Sequence, residues 1–144
     1  FLIIGPCNND EYMDKLINLA KGINKLTFCG IILQDDNMNI YAQIIILVNT
    51  SIFEGFPNTF LEAWSHGNPV SSLNIDPDEV ICTFRLGFHS RNFDKMVEDL
   101  KLLIKDKKLR NELGLNGRKY VEENNSTEKI VDEFENLIVN KFIN

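Results

Sequence analysis

The chain is poor in the residues that staple small secreted folds. Its three cysteines, Cys7, Cys29 and Cys82, are odd in number, far apart and free of any C-x-x-C spacing. That pattern argues against a disulfide framework and fits reduced, mostly buried thiols in a cytoplasmic protein. Histidine is scarce as well, with only His66 and His89. No metal-ligand spacing links the Asp, Glu and His residues, so no metal is expected. Positive charge is in deficit, with 15 Lys and Arg against 21 Asp and Glu and a net charge of −6. No basic stripe offsets this, which argues against a nucleic-acid surface. No apolar run has the length of a membrane span, and no signal peptide heads the chain. Repeats and low-complexity linkers are absent too.

What remains is an ordinary globular composition, 44% hydrophobic and 25% charged over 144 residues. A single domain of that length buries roughly 68–70% of the surface its unfolded chain exposes, enough for a core without staples. The chain opens on Phe1-Leu2-Ile3-Ile4, already inside an apolar run and with no Met before it. The expectation is one domain over residues 1–144, cut from a longer protein, with part of its sheet upstream.

Short apolar runs closed by glycine or proline alternate with helix-period segments. Strands are expected at Phe1–Ile4, Lys25–Cys29, Gln43–Val48, Pro69–Leu73 and Leu86–His89, with Gln43–Val48 the most buried by composition. Helices are expected over Asp10–Gly22 and Thr59–His66, and over a tail of Asn92–Lys105, Lys108–Leu115, Asn116–Glu123 and Ser126–Asn140. Tyr12, Leu16, Leu19 and Ala20 fall near one face of the first helix. Phe60, Ala63, Trp64 and Gly67 share the i, i+3, i+4, i+7 spacing of a buried face. The stretch from Gly114 to Gly117 is expected to break the tail. Asp76 or Asp78 is expected to cap a short helix before Phe84, and Ser126 the last one. Strands alternating with helices argue for an α/β fold, a doubly wound parallel sheet with a helical C-terminal tail. Ligands of such sheets bind outside the carboxyl ends of the strands.

The stretch from Ser51 to Trp64 lies at such an end. It places Glu54 in a turn and Glu62 in the first turns of a helix, eight positions apart. Free amides and the helix dipole attract phosphate. Carboxylates accept hydrogen bonds from sugar hydroxyls. A plainer explanation is available for each glutamate. Thr59-x-x-Glu62 has the form of a capping box, and Glu54 in a turn could simply be solvated. Neither explains why a bulky apolar turn of Phe53, Phe56 and Pro57 carries a carboxylate. Gly55 beside it suggests close approach of backbone or ligand.

The run Glu54-Gly55-Phe56-Pro57-Asn58-Thr59-Phe60-Leu61-Glu62 resembles the E-x7-E signature of family 4 GT-B glycosyltransferases (glycosyl transferases group 1). Phe1–Gly5, Leu26–Gly30, Tyr41–Ser51, Gly67-Asn68-Pro69-Val70 and Lys107–Val121 resemble the neighbouring segments of that family, in order. The resemblance implies a Rossmann-like, C-terminal, donor-binding half of a retaining transferase. It implies a nucleotide-diphosphate sugar as substrate, with no cofactor and no metal. Glu54 matches the glutamate that contacts the transferred sugar, and Glu62 the one that binds the ribose hydroxyls. Gly55, Phe56, Asn58 and Thr59 match the turn whose amides face sugar and phosphate, and Ile31 the region bordering the base. An N-terminal domain of the same parent chain would hold the acceptor, and this portion alone would be inactive. Membrane association of the parent enzyme is left open. The family's diphosphate-binding Arg and Lys lie upstream of the segment matching Phe1–Ile4. Where many members carry a glycine-rich loop, this chain has Asn74-Ile75-Asp76-Pro77-Asp78-Glu79.

The competing readings are a degenerate, non-enzymatic interaction domain of the same α/β class, or a GT-B-fold epimerase or phosphorylase. His66 at a helix end, Arg85, Arg91 and the Lys101–Lys108 cluster read as structural or surface groups.

Overall fold

Residues 1–32, 39–125 and 127–142 are described by a computed structural model, and they fall into two compact units, Phe1–Ile40 and Tyr41–Asn144. The expected cap Ser126 and most of the polar stretch before Tyr41 lie outside the described residues.

In the first unit, β1 (Leu2–Ile4) pairs in parallel with β2 (Thr27–Gly30), and α1 (Asp10–Ala20) connects them. Asn9 starts α1, because its side-chain oxygen accepts from Tyr12 N at 2.9 Å. The strands stand where the apolar runs place them, but β1 is not the buried strand its composition suggests. Leu2, Ile3 and Ile4 are 48%, 42% and 44% exposed, and no residue of α1 is buried. Two strands and one helix supply too few layers to cover a sheet on both faces.

The second unit holds a three-stranded parallel sheet, β3 (Leu47–Asn49), β4 (Val70–Ser72) and β5 (Gly87–His89), in that spatial order. Leu47 stands opposite Val70 and Val70 opposite Gly87, so the carboxyl ends of the strands are level at Asn49, Ser72 and His89. The crossover α2 (Asn58–Ser65) joins β3 to β4. A 3-10 turn (Pro77–Glu79) and α3 (Val80–Thr83) join β4 to β5. The tail consists of α4 (Phe93–Lys105), α5 (Lys107–Asn124) and α6 (Thr127–Phe142). The expected third strand is shorter than the run Gln43–Val48, and it is not the most buried. β3 is an edge of its sheet and half-exposed, whereas all three residues of the central β4 are buried.

Capping follows the sequence closely in the tail. Asn92 accepts from Lys95 N and Asp106 from Leu109 N, both at 2.9 Å. The buried Asp99 of α4 accepts from Ser90 Oγ at 2.8 Å and from Lys95 Nζ at 2.6 Å, which ties α4 to the end of β5. α6 keeps its apolar residues outside: Ile130, Phe134 and Leu137 are each more than half exposed.

The core of this unit is built around Trp64. The ring is fully buried, with Phe60 and Tyr120 each 5.6 Å away between centroids, and its Nε1 donates to Leu86 O at 3.1 Å. α5 packs along α2, and here the expected helix break is overturned. α5 runs without interruption through Gly114 and Gly117. A Cβ on Gly114 would lie 1.9 Å from Gly67 O, and one on Gly117 would lie 2.7 Å from Trp64 Cδ1. The two glycines are contact points, not stops: Gly114 lets the backbone of Gly67 approach, and Gly117 makes room for the Trp64 side chain. Gly114→Ala is expected to destabilise by about 1–3 kcal/mol, because a backbone carbonyl cannot turn aside. That exceeds the gain of about 1 kcal/mol in helix propensity. Gly55→Ala, whose Cβ would meet nothing within 4 Å, is the control and should change stability by less than about 0.5 kcal/mol in urea denaturation.

Candidate functional site

The carboxyl rim of the three-stranded sheet is organised by two asparagines. Asn49, the last residue of β3, donates from Nδ2 to Glu54 Oε1 at 3.2 Å and accepts at Oδ1 from Ser51 N at 3.2 Å. Asn74, just beyond β4, donates to Ser51 O at 3.0 Å. The loops leaving β3 and β4 are therefore tied together, and Glu54 is held half-buried with one carboxylate oxygen engaged. The turn bearing it is otherwise apolar and open: Ile52 is 88% and Phe53 90% exposed. Phe56 turns back, edge-on to Trp64 with centroids 6.4 Å apart. Gly55 has open space around it and no backbone near it, so the expected close approach of backbone is not found.

The capping box does not form. α2 begins at Asn58 behind Pro57, which as N-cap offers no side-chain hydrogen bond. Thr59 is then the second helical residue and Glu62 the fifth, two positions beyond the third, from which a capping-box Glu reaches back. The amides of Asn58 and Thr59, both exposed residues, carry no side-chain cap. Such amides at the positive end of a helix are ready-made anion donors.

Glu62 looks elsewhere. Burial and the Glu62 carboxylate together push the Tyr41 hydroxyl far up, so Tyr41 stays a protonated donor to Glu62. The Glu62 carbonyl accepts from Ser65 Oγ at 2.8 Å and lies 2.8 Å from His66 Nδ1. A carbonyl can only accept, so Nδ1 of His66 carries a proton and donates to it. The His66 ring stacks on Tyr41, with centroids 5.7 Å apart and planes 30° from parallel. A carboxylate offers about four lone-pair sites. Tyr41 occupies one and fixes the rotamer, leaving acceptor capacity for hydroxyls of a ligand.

Six of the predicted residues, Glu54, Gly55, Phe56, Asn58, Thr59 and Glu62, thus occupy one continuous turn and helix start at the sheet rim. Ile31 belongs to the other unit, where it follows β2 and is 72% exposed. Sequence reasoning missed Asn49, Asn74 and Tyr41, which set the two glutamates in place. Asn49 ends an apolar run, and that position was its only signal. Sequence reasoning also missed a cluster of Asp76, Cys82 and His89, whose ligand-type atoms all lie within 4.8 Å of one another. The thiols are less buried than expected: Cys82 is exposed, and Cys7 and Cys29 are only partly covered. Arg85 forms the surface ion pair its position suggested, 3.0 Å from Glu112. Among the described residues no helix is long and apolar enough to cross a membrane.

Parallel strands, a crossover helix with uncapped amides and carboxylates at the rim define an α/β domain of the ligand-binding doubly wound class. A family model described as Glycosyl transferases group 1 matches residues 1–120, and the chain belongs to that family. It is 30% identical over 141 residues to the capsular polysaccharide biosynthesis glycosyltransferase CapM of Staphylococcus aureus, covering 94% of this chain and 36% of that protein. It is 27% identical over 143 residues to glycosyltransferase 1 domain-containing protein 1 of Xenopus tropicalis, covering 99% of this chain and 41% of that protein. The chain therefore spans well under half the length of these relatives. Among solved structures it is similar to a variant of S. aureus TarM in complex with fondaparinux, alpha-GlcNAc-glycerol and UDP. The TM-score is 0.80 at 23% identity, over 95% of this chain and 28% of that one. The fold is that of a GT-B glycosyltransferase, α/β with parallel sheets and a helical tail.

Proposed function

We propose that this chain is the donor-binding portion of a retaining glycosyltransferase. It would bind a nucleotide-diphosphate sugar and present the sugar to an acceptor held by another domain of the parent protein. The observation that carries this reading is the start of α2. The amides of Asn58 and Thr59 are left without a side-chain cap, while both glutamates that could have covered them are held elsewhere by Asn49 and Tyr41. In this reading Glu54 accepts from hydroxyls of the transferred sugar, with Gly55 and Phe56 shaping the turn beside it. The α2 amides take the diphosphate and Glu62 the ribose hydroxyls. Catalysis then rests on positioning and on stabilising charge on the leaving diphosphate. No cofactor is assigned. UDP in the TarM complex supports the ligand class, and the free thiols fit a reducing, cytoplasmic setting.

The test is calorimetric titration of the intact protein with UDP, GDP and ADP, followed by product analysis with the sugar nucleotide of the base that binds. Saturable binding of one nucleotide and transfer with retained anomeric configuration are expected. Absence of binding to all three would replace this reading with that of an interaction domain. The present chain alone is expected to turn over no donor.

A further inference from the structure

Two strand positions along the same rim from Glu54, about 10 Å by inter-strand spacing, Asp76, Cys82 and His89 converge from three separate elements. Asp76 sits in the loop after β4, Cys82 on α3 and His89 at the end of β5. The side chains of Asp76 and His89 are 3% and 15% exposed. His89 Nδ1 lies 3.7 Å from Asp76 Oδ2. That is too long for a hydrogen bond. Nitrogen and oxygen ligands of one tetrahedral Zn²⁺ stand roughly 3.3–3.5 Å apart when each bond is about 2.0–2.2 Å, so a shift of a few tenths of an ångström brings the pair to that spacing. We propose that Asp76, Cys82 and His89 form a Zn²⁺ site that is separate from the sugar-nucleotide groups.

The supporting groups are already in place. Asp76 Oδ1 accepts from Ile81 N at 2.8 Å and Oδ2 more weakly from Cys82 N at 3.4 Å, which orients the carboxylate with a lone pair of Oδ2 still available on the side of His89. Ligating carboxylates are held by such outer hydrogen bonds. The loop that presents Asp76 has two consecutive non-glycine residues in the left-handed region, Asp78 (φ 49) and Glu79 (φ 57). Strain of that kind collects where a loop must hold one geometry for a ligand. Thiolate, imidazole and carboxylate together select Zn²⁺ over Mg²⁺, which takes oxygen ligands. Three protein ligands leave the fourth position open on the solvent side, where Cys82 is exposed. The bound ion ties α3 to β5 across the loop. Nothing in the linear spacing of the three residues announces this, because the fold alone brings them together.

The test uses Co²⁺ as a spectroscopic stand-in, added to the intact, metal-free protein. One equivalent of Co²⁺ is expected to give thiolate-to-metal charge-transfer and tetrahedral d–d absorption, and Zn²⁺ should abolish both. Cys82→Ser should remove the charge-transfer band, and His89→Ala should weaken binding at least tenfold. A Cys7→Ser, Cys29→Ser double variant should keep the full spectrum. Zn²⁺ should also raise the melting temperature of the wild type and leave that of Cys82→Ser unchanged. No band in the wild-type protein, or a band that survives Cys82→Ser, would reduce the cluster to a helix cap and overturn the proposal. Because Cys82 is exposed, its serine variant tests the metal without disturbing the Asp76 cap.

Discussion

Glu62→Ala will weaken nucleotide-sugar binding by roughly ten- to a hundredfold, which corresponds to losing a charged hydrogen bond of about 1.5–3 kcal/mol. Calorimetric titration of the intact protein checks it. Glu62 also holds the hydroxyl of Tyr41, so its removal leaves the donor of a buried residue without that partner. A second variant separates the two effects. Tyr41→Phe removes that hydrogen bond and keeps the carboxylate, so donor affinity should fall by less than about threefold, under 1 kcal/mol. If both variants lose affinity equally, Glu62 acts by bracing Tyr41 and not by touching the donor. If Glu62→Ala folds normally and binds as the wild type does, the residue leaves the proposed site altogether.

Trp64→Ala should cost about 3–5 kcal/mol of stability. Against a typical total of about 5–15 kcal/mol, that is about a fifth or more of what holds a domain together. The ring is fully buried, is met by aromatic edges from Phe56 and Tyr120, and rests on the bare backbone of Gly117. Its removal leaves a cavity that Gly117 has no side chain to fill, and it removes one of the two donors to the Leu86 carbonyl, which keeps Val70 N at 3.2 Å. Urea denaturation is the measurement, followed by circular dichroism because Trp64 is the chain's one tryptophan and the fluorescence probe vanishes with it. Trp64→Phe keeps most of the volume and should lose clearly less. A loss below about 1 kcal/mol for the alanine variant would show that α2 is anchored by other residues.

Much of the fold was legible because the signals were local. Glycine and proline closed the strands, the tail helices begin close to where the apolar periodicity starts, and the i, i+3, i+4 pattern of Phe60, Ala63 and Trp64 found the buried face of α2. What misled was each case in which a distant contact decides. Gly114 and Gly117 read as stops because their value lies in Gly67 and Trp64, about fifty residues earlier in the chain. Gln43–Val48 read as the best-buried strand because composition cannot tell an edge from a centre. Thr59 and Glu62 matched a capping box whose frame began two residues too late, since Pro57 had already set the start. For the candidate site, the acidic pair was visible as a motif. The amides and hydroxyl that aim it, from Asn49, Asn74 and Tyr41, carry no motif and emerge only when strand ends are brought level.

The glycine contact has an architectural consequence. A helix turns by about 100° per residue, so inserting one residue ahead of Leu113 would swing the two bare positions off α2 and put bulky neighbours in their place. Length variation in α5 upstream of that point is therefore closed to this fold, whereas the exposed tip at Ile52 and Phe53 can lengthen or change its chemistry freely. Divergence within such a scaffold would be funnelled into the tip beside Glu54, where a new preference could be acquired without loosening the helix that bears Glu62.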